Sequence, residues 1–236
     1  LPKDYPGIDF SKLNIILVEG SKSTLSSMSE NAQKASMAYI KELGVDLKTE
    51  LFVKDYDGAI VTLSDGNTIK TKNLIWAAGV TGNFIEGIHQ DVKVRGNRIK
   101  VDRFNLVLNT TNIYALGDIA FMTTPKYPNA HPQLANVAIN QAKNLAKNFK
   151  LKANQKPLKE FEYKDLGSMA TIGKHKAVVD LSFYKFSGYI AWFIWMFLHL
   201  MLILSVKNKL IIFINWAWNY ITKDTSLRLI FTQKNK

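Results

Sequence analysis

Asn14-Ile15-Ile16-Leu17-Val18-Glu19 is a short apolar, β-branched run closed by a carboxylate. Apolar side chains at consecutive positions leave no polar face, so the run reads as a buried strand of a parallel sheet. The next stretch is helical in pattern. Ser27-Met28-Ser29-Glu30 has capping-box spacing, and an amphipathic helix is expected from there to about Leu43, stopped by Gly44. Residues 50–56 and 59–63 are β-rich and are joined by Asp57-Gly58, a strong hairpin signal. Ser64-Asp65-Gly66-Asn67 makes another turn, and residues 73–77 read as a second buried strand that ends in Ala78-Gly79. Strands alternating with a helix imply an α/β fold with a parallel sheet. In such sheets ligands sit beyond the carboxyl ends of strands.

Further on, residues 82–96 are rich in turns. Residues 98–102 and 112–116 read as short strands, and Gly117-Asp118 follows the second. Pro125 and Pro128 mark a loop, residues 135–147 have helical spacing, and a polar, Lys-rich linker covers residues 150–159. Residues 161–180 are β-rich, and the remainder is apolar and aromatic.

The chain has 236 residues, 47% of them hydrophobic, enough for one large domain or two small ones. It opens Leu1-Pro2-Lys3-Asp4 with no Met and no signal-peptide pattern, and reads as a cut inside a longer protein. With no cysteine it holds no disulfide, thiolate metal site or redox dithiol. The net charge of +12 asks for an anionic partner. No nucleic-acid motif is present. The tail favours a membrane instead: Lys207, Lys209, Lys223, Arg228, Lys234 and Lys236 stand against Asp224 alone.

Each candidate site residue carries two readings. Glu19 is either a ribose-binding acid at a strand end or an ordinary solvated strand end; no G-x-G-x-x-G exists in the chain to support the first. Ala78-Gly79 lets a flat ligand approach the backbone, or simply marks a tight strand-to-loop crossing. Asp118 accepts from a sugar-alcohol hydroxyl while Gly117 lets a cofactor chain pass, or else it is a helix N-cap or turn Asp. His131-Pro132-Gln133, Asn136, Asn140 and Gln141 gather polar groups at a helix start, where free N–H groups meet a positive dipole end; a solvated amide face is the plain alternative. His131 has no partner at metal-ligand spacing. With no acid/base pair, nucleophile triad, P-loop or metal motif, no side chain is assigned as catalytic, and the chain reads as a chassis for a cofactor that carries the chemistry.

These pieces occur in one order: L-P-K-D-Y-P-x-x-D-F-S, I-I-L-V-E-G, I-W-A-A-G-V, N-I-Y-A-L-G-D, H-P-Q-x-A-x-V-A-I-x-Q, D-L-G-S-M-A-T-I-G-K and G-x-x-A-W-F-x-W-x-x-x-H-L. In that order the chain resembles type II NADH dehydrogenases, the bacterial forms most closely. The resemblance implies part of a flavoprotein with two nested Rossmann-like dinucleotide domains. Residues 1–79 resemble the later part of the NADH domain, residues 80–161 the return segment of the FAD domain, and residues 162–236 a C-terminal amphipathic membrane anchor. Both glycine-rich loops of the family are expected upstream.

By the same resemblance Glu19 matches the ribose-binding acid, Ala78 and Gly79 the loop on the nicotinamide side, and Gly117-Asp118 the site of the flavin ribityl chain. Residues 135–142 match the family's A-Q-x-A-x-Q-Q-G beside flavin and quinone. Here it reads A-N-V-A-I-N-Q-A. Ala135, Asn136 and Val137 are thereby implied at the flavin, and Asn136, Asn140 and Gln141 at quinone. Asn replaces Gln at 136 and 140, and Ala142 replaces Gly. The implied activity passes electrons from NADH through FAD to a membrane quinone without proton pumping. A non-catalytic membrane-surface module, or another FAD/NAD(P) oxidoreductase of the superfamily, is the competing reading.

The tail is expected to lie on the membrane. Residues 189–204 carry no formal charge, and as a helix they cover roughly 24 Å at 1.5 Å per residue, short of a hydrocarbon core about 30 Å thick. Trp192, Trp195, Trp216 and Trp218 suit the headgroup level. The expectation is a monotopic protein on the cytoplasmic face of the inner membrane, held by anionic lipid; a homodimer stays open.

Overall fold

The structure is a computed structural model that describes Gly7 and residues 9–203 and 205–222. Most of the L-P-K-D-Y-P motif, and the tail charges Lys223, Asp224, Arg228, Lys234 and Lys236, lie outside the described residues. The chain forms two compact units. One joins the stretch up to Asn73 to the stretch from Leu166; the other is Leu74–Asp165.

In the first unit, β1 (Ile16–Glu19) pairs in parallel with β2 (Asp46–Thr49), with Glu19 opposite Thr49. Between them runs α1 (Glu30–Glu42). The helix stops at Leu43 because Gly44 takes φ +77 there: its N–H reaches the Lys41 carbonyl and that of Val45 the Ile40 carbonyl, a Schellman closure. Its start departs from the capping-box expectation. The N-cap is Ser29, whose side chain makes no cap bond. Its backbone N–H instead donates to Asp180, far along the chain.

The hairpin forms as expected: β3 (Val53–Tyr56) and β4 (Ile60–Leu63) flank Asp57-Gly58, with Gly58 at φ +97 and the Asp57 carboxylate accepting from the Ala59 and Ile60 N–H groups. The turn at Gly66 then leads into β5 (Thr68–Lys70).

The same unit holds an antiparallel sheet ordered β11-β10-β9, from β9 (Ser168–Thr171), β10 (Ala177–Asp180) and β11 (Lys185–Gly188). The central strand is buried on both faces, and the two-residue period sorts its side chains. Val178 packs with Met28, Ala32 and Ile172 against α1. Ala177 and Val179 pack with Ala191 of α3 (Tyr189–Leu202). Burying one such valine contributes about 1.5–3 kcal/mol, so Val178→Asp is the single change that would part α1 from the sheet. A last helix, α4 (Val206–Thr222), follows.

In the second unit β6 (Lys93–Val94) pairs antiparallel and β8 (Ala120–Phe121) parallel with β7 (Arg98–Lys100). Val92, Ile99, Val101, Val107, Met122, Val137 and Phe161 are among its core. The helix α2 (Ala135–Ala153) covers it, running past the expected end at 147 into the Lys-rich stretch, whose Lys, Leu and Ala residues are good helix formers.

Four sheet and strand expectations are corrected. The described residues make four small, mainly antiparallel sheets rather than one parallel sheet. The run at 14–19 gives only a four-residue strand, paired on one side, with Leu17 39% exposed. Residues 73–77 form no strand, and Ile75 is 90% exposed. Residues 112–116 supply a single bridge, Tyr114 to Leu106. An apolar run becomes a strand only where a neighbour takes its N–H and C=O groups, and no described strand flanks 73–77.

Candidate functional site

In the second unit the chain leaves the Tyr114 bridge, and Gly117–Ile119 closes into a short 3-10 turn rather than following a strand end. Gly117 sits at φ +73, and a Cβ there would crowd the Cβ of Ala138 at 3.2 Å, so glycine is favoured by torsion and spared a tight contact. The turn is tied to α2 and to the residues just before that helix. Gln141 accepts from the Gly117 N–H at 2.7 Å, and Gln133 donates to the Asp118 carbonyl at 3.2 Å.

The Asp118 side chain is exposed and takes no hydrogen bond among the described residues. It is neither the N-cap of the 3-10 turn, which is Leu116, nor that of α2, which is Leu134. Its charge favours the nearby Arg98 guanidinium, although burial pulls the Arg98 pKa below its ordinary value. Arg98 donates to the carbonyls of Ala120 and His131 and lies 5.2 Å from the Phe121 ring centroid. Arg98 was not a sequence candidate; the signal was only its place in a strand beside Ile99.

The polar cluster at the start of α2 divides by depth. Ala135, Asn136 and Asn140 are exposed, with the two asparagines one turn apart on one face. Val137, 2% exposed, belongs to the core. Gln141 is fully buried, so its side chain serves the Gly117 turn and does not share the asparagines' surface. Leu134 supplies no side-chain cap, so the first N–H groups of α2 stay open, an arrangement that favours negative charge.

His131 is 1% exposed, boxed by Tyr127, Phe161 and Tyr163, and neither ring nitrogen has a partner. Burial, helped by Arg103 and Arg98, lowers its pKa against the opposing pull of Glu162. Ala78 and Gly79 are exposed in irregular chain; Gly79 has φ +97 and open space where a Cβ would stand. No three His, Asp or Glu side chains among the described residues could hold a metal.

In the first unit Glu19 closes β1, half-buried, and accepts from the Ser21 N–H at 2.8 Å. Its second oxygen has no described partner. Gly20 follows it tightly, since a Cβ there would strike the Phe52 ring.

Residues 8–142 match the pyridine nucleotide-disulphide oxidoreductase family, and residues 166–223 match the NDH2 C-terminal domain. The second match begins where the chain re-enters the first unit. The type II NADH:quinone oxidoreductase Ndh of Mycobacterium tuberculosis is 29% identical over 226 residues, covering 91% of this chain and 48% of that protein. The type II NADH:quinone oxidoreductase of Staphylococcus aureus is 31% identical over 183 residues, 73% of this chain and 43% of that one. The solved NDH2 of Plasmodium falciparum, in complex with NADH, superposes with a TM-score of 0.82 at 21% identity, over 93% of this chain and 60% of that one, and so shares the fold. The chain spans about half the length of the curated relatives it matches.

Proposed function

Since the chain belongs to the pyridine nucleotide-disulphide oxidoreductase family, and within it to the type II NADH dehydrogenases, we propose that the full-length protein containing it is a flavin-dependent NADH:quinone oxidoreductase. The observation that carries this reading is the Gly117-Asp118 turn pinned between Gln133 and Gln141 at the open N-terminus of α2. It presents a carboxylate with no hydrogen-bond partner among the described residues, a glycine at positive φ beside Ala138, and free backbone N–H groups. A flavin dinucleotide fits these donors and acceptors.

Bound there, FAD would accept hydride equivalents and hand two electrons on, chemistry that no side chain supplies. The chain's own residues bind and orient. Asp118 accepts from a ribityl hydroxyl. The first turn of α2, from Ala135 through Val137, offers its dipole and N–H groups where negative charge gathers. Asn136 and Asn140 donate their amides to a quinone oxygen, and Gln141 contributes by fixing the Gly117 turn. Glu19 accepts from the adenosine ribose hydroxyls of NADH and repels a 2′-phosphate. Ala78 and Gly79 let the nicotinamide approach the backbone. The proposed turnover moves no protons across the membrane.

We further propose that residues 1–79 complete an NADH domain, 80–161 an FAD domain and 162–236 a monotopic anchor on the cytoplasmic face of the inner membrane. Support for the anchor comes from α3 and α4. No described helix is long and apolar enough to cross a membrane, yet Ile190, Phe197, Leu202, Ile214, Trp218 and Ile221 are widely exposed. Lys207 and Lys209 open α4, where each adds about 1 kcal/mol of attraction to an anionic leaflet. A second copy of the chain is the other cover such a face could take.

The test is spectroscopic. In the purified full-length protein, NADH should bleach a bound flavin's absorbance and a soluble quinone should restore it. A protein that retains no flavin, or one whose flavin is reduced but not reoxidised by quinone, would overturn the reading.

A further inference from the structure

Between α3 and α4 lies a cleft of about 210 Å³. Its walls are two rows at i, i+3, i+4 spacing: Trp192, Trp195 and Met196 on α3, and Trp216, Asn219 and Tyr220 on α4. One end is shut. The hydroxyls of Tyr189 and Tyr220 meet at 2.8 Å, and the His175 ring packs 4.8 Å from Tyr220 and 5.6 Å from Trp192. His175 is held at φ +66 in the β9–β10 hairpin, a conformation that non-glycine residues seldom adopt. The same hairpin carries Lys174 to the cleft.

Besides the indole N–H groups and the Tyr220 hydroxyl, which is paired with Tyr189, the polar groups there are Lys174 and Asn219, and neither has a hydrogen-bond or ion-pair partner among the described residues. The neighbouring Lys176 is engaged, by the Glu42 carboxylate and the Tyr39 ring. Residues 189–222 contain no Asp or Glu. The cleft therefore combines an indole-lined, apolar body with an uncompensated cation and a free amide. Phe193, exposed on α3, packs edge-on against Trp192 at 5.3 Å.

A neutral amphiphile would satisfy the indoles and leave Lys174 unanswered. A small anion would leave the indoles bare. We propose that this cleft binds one anionic phospholipid, with an acyl chain along the indoles and the phosphate on Lys174 and Asn219. This is a stoichiometric site, and it goes beyond the general lying of α3 and α4 on a bilayer. Binding of lipid monomers tests it apart from membrane attachment and apart from turnover.

The experiment is calorimetric titration of the delipidated full-length protein with dihexanoylphosphatidylglycerol below its micelle concentration. One molecule should bind per chain. The choline analogue should bind at least about tenfold more weakly, having lost net headgroup charge, and glycerol phosphate should not displace the lipid. Lys174→Glu should weaken binding by a similar factor while flavin content and pelleting with neutral vesicles stay unchanged. Met196→Trp, which fills the cleft, should block it. Equal affinity for the two lipids, glycerol phosphate binding as tightly as the lipid, a short-chain quinone binding in preference, or an unaffected Lys174→Glu variant would each overturn the assignment. Loss of flavin with lipid binding intact would count against the proposed oxidoreductase and leave this site standing.

Discussion

The fully buried Gln141 side chain accepts a hydrogen bond from the partly buried Gly117 backbone N–H at 2.7 Å. Removing that acceptor leaves the partly buried Gly117 N–H unsatisfied, a cost below the roughly 1–3 kcal/mol of a fully buried donor and offset in part because the buried Gln141 amide nitrogen has no partner to lose. Gln141→Leu should therefore lower the Tm of the full-length protein and loosen its flavin. Asn136→Ala and Asn140→Ala, both on the exposed face, should leave Tm unchanged and raise the KM for quinone. Melting curves beside quinone kinetics separate the two groups; if Gln141→Leu behaves like the asparagine variants, the buried role assigned to Gln141 is wrong.

Asp118→Ala should release flavin. The exposed carboxylate makes no hydrogen bond among the described residues and loses only its through-space attraction to Arg98, so folding should be largely spared. One charge-assisted hydrogen bond to the cofactor is worth roughly 1.5–3 kcal/mol, about ten- to a hundredfold in retention. Dialysis followed by flavin absorbance measures it, and unchanged occupancy would remove the assigned role.

Most local signals in the sequence hold in the fold, the capping box excepted, whereas neighbour-dependent ones do not. The Asp57-Gly58 hairpin, the Gly44 stop and the start of α2 depend on residues within a few positions, and all three formed. Residues 73–77 have strand composition but need a partner strand, so composition alone misjudged them. Gln141 looked like its neighbours Asn136 and Asn140 because all three are amides near one helix start. Only the helical rotation, which turns position 141 inward to Gly117, tells them apart. The bond from Ser29 to Asp180 crosses 151 residues, and no pattern local to either residue encodes it.

Glu19→Gln should raise the KM for NADH more than that for quinone. The amide oxygen can keep the bond from the Ser21 N–H, so the strand end should hold while the charge toward ribose is lost. The same variant should discriminate less against NADPH, since a carboxylate repels a 2′-phosphate. Steady-state kinetics with both nucleotides checks this; equal effects on NADH and quinone would contradict it.

His131 should make the protein acid-sensitive. Its folded pKa lies below the ordinary 6.5 because burial disfavours the charged ring. The unfolded chain therefore binds a proton at higher pH than the folded one does. The stabilisation is fully present above about pH 6.5 and is lost as pH falls toward the folded pKa. His131→Phe keeps the packing against Tyr127 and Phe161, and gives up no hydrogen bond, since both ring nitrogens are unpartnered. Urea midpoints measured from pH 7.5 downward, a range set about the ordinary His pKa, should fall for the parent protein and fall less for His131→Phe. Parallel curves would show that other groups govern the acid limb.

Attachment to the membrane is tested better by substitution than by truncation. Cutting before Gly188 removes Ala191, which is fully buried against Ala177 and Val179 of β10. The cut would therefore uncover the sheet and confuse unfolding with release. Phe197, Leu202 and Ile214 are exposed by 58%, 72% and 62%, so acidic residues at these positions cost the fold little. In the bilayer interface the same changes strip apolar contact worth about 25 cal/mol per Å² and add charge repelled by anionic lipid. The triple variant Phe197→Glu, Leu202→Glu, Ile214→Glu should keep its Tm and its bound flavin. It should move from the membrane pellet to the supernatant, and high salt alone should not release the parent protein because apolar burial is not screened. A triple variant that still pellets would show that α3 and α4 are not the anchor. One that becomes monomeric while the parent is dimeric would assign the same face to a second copy.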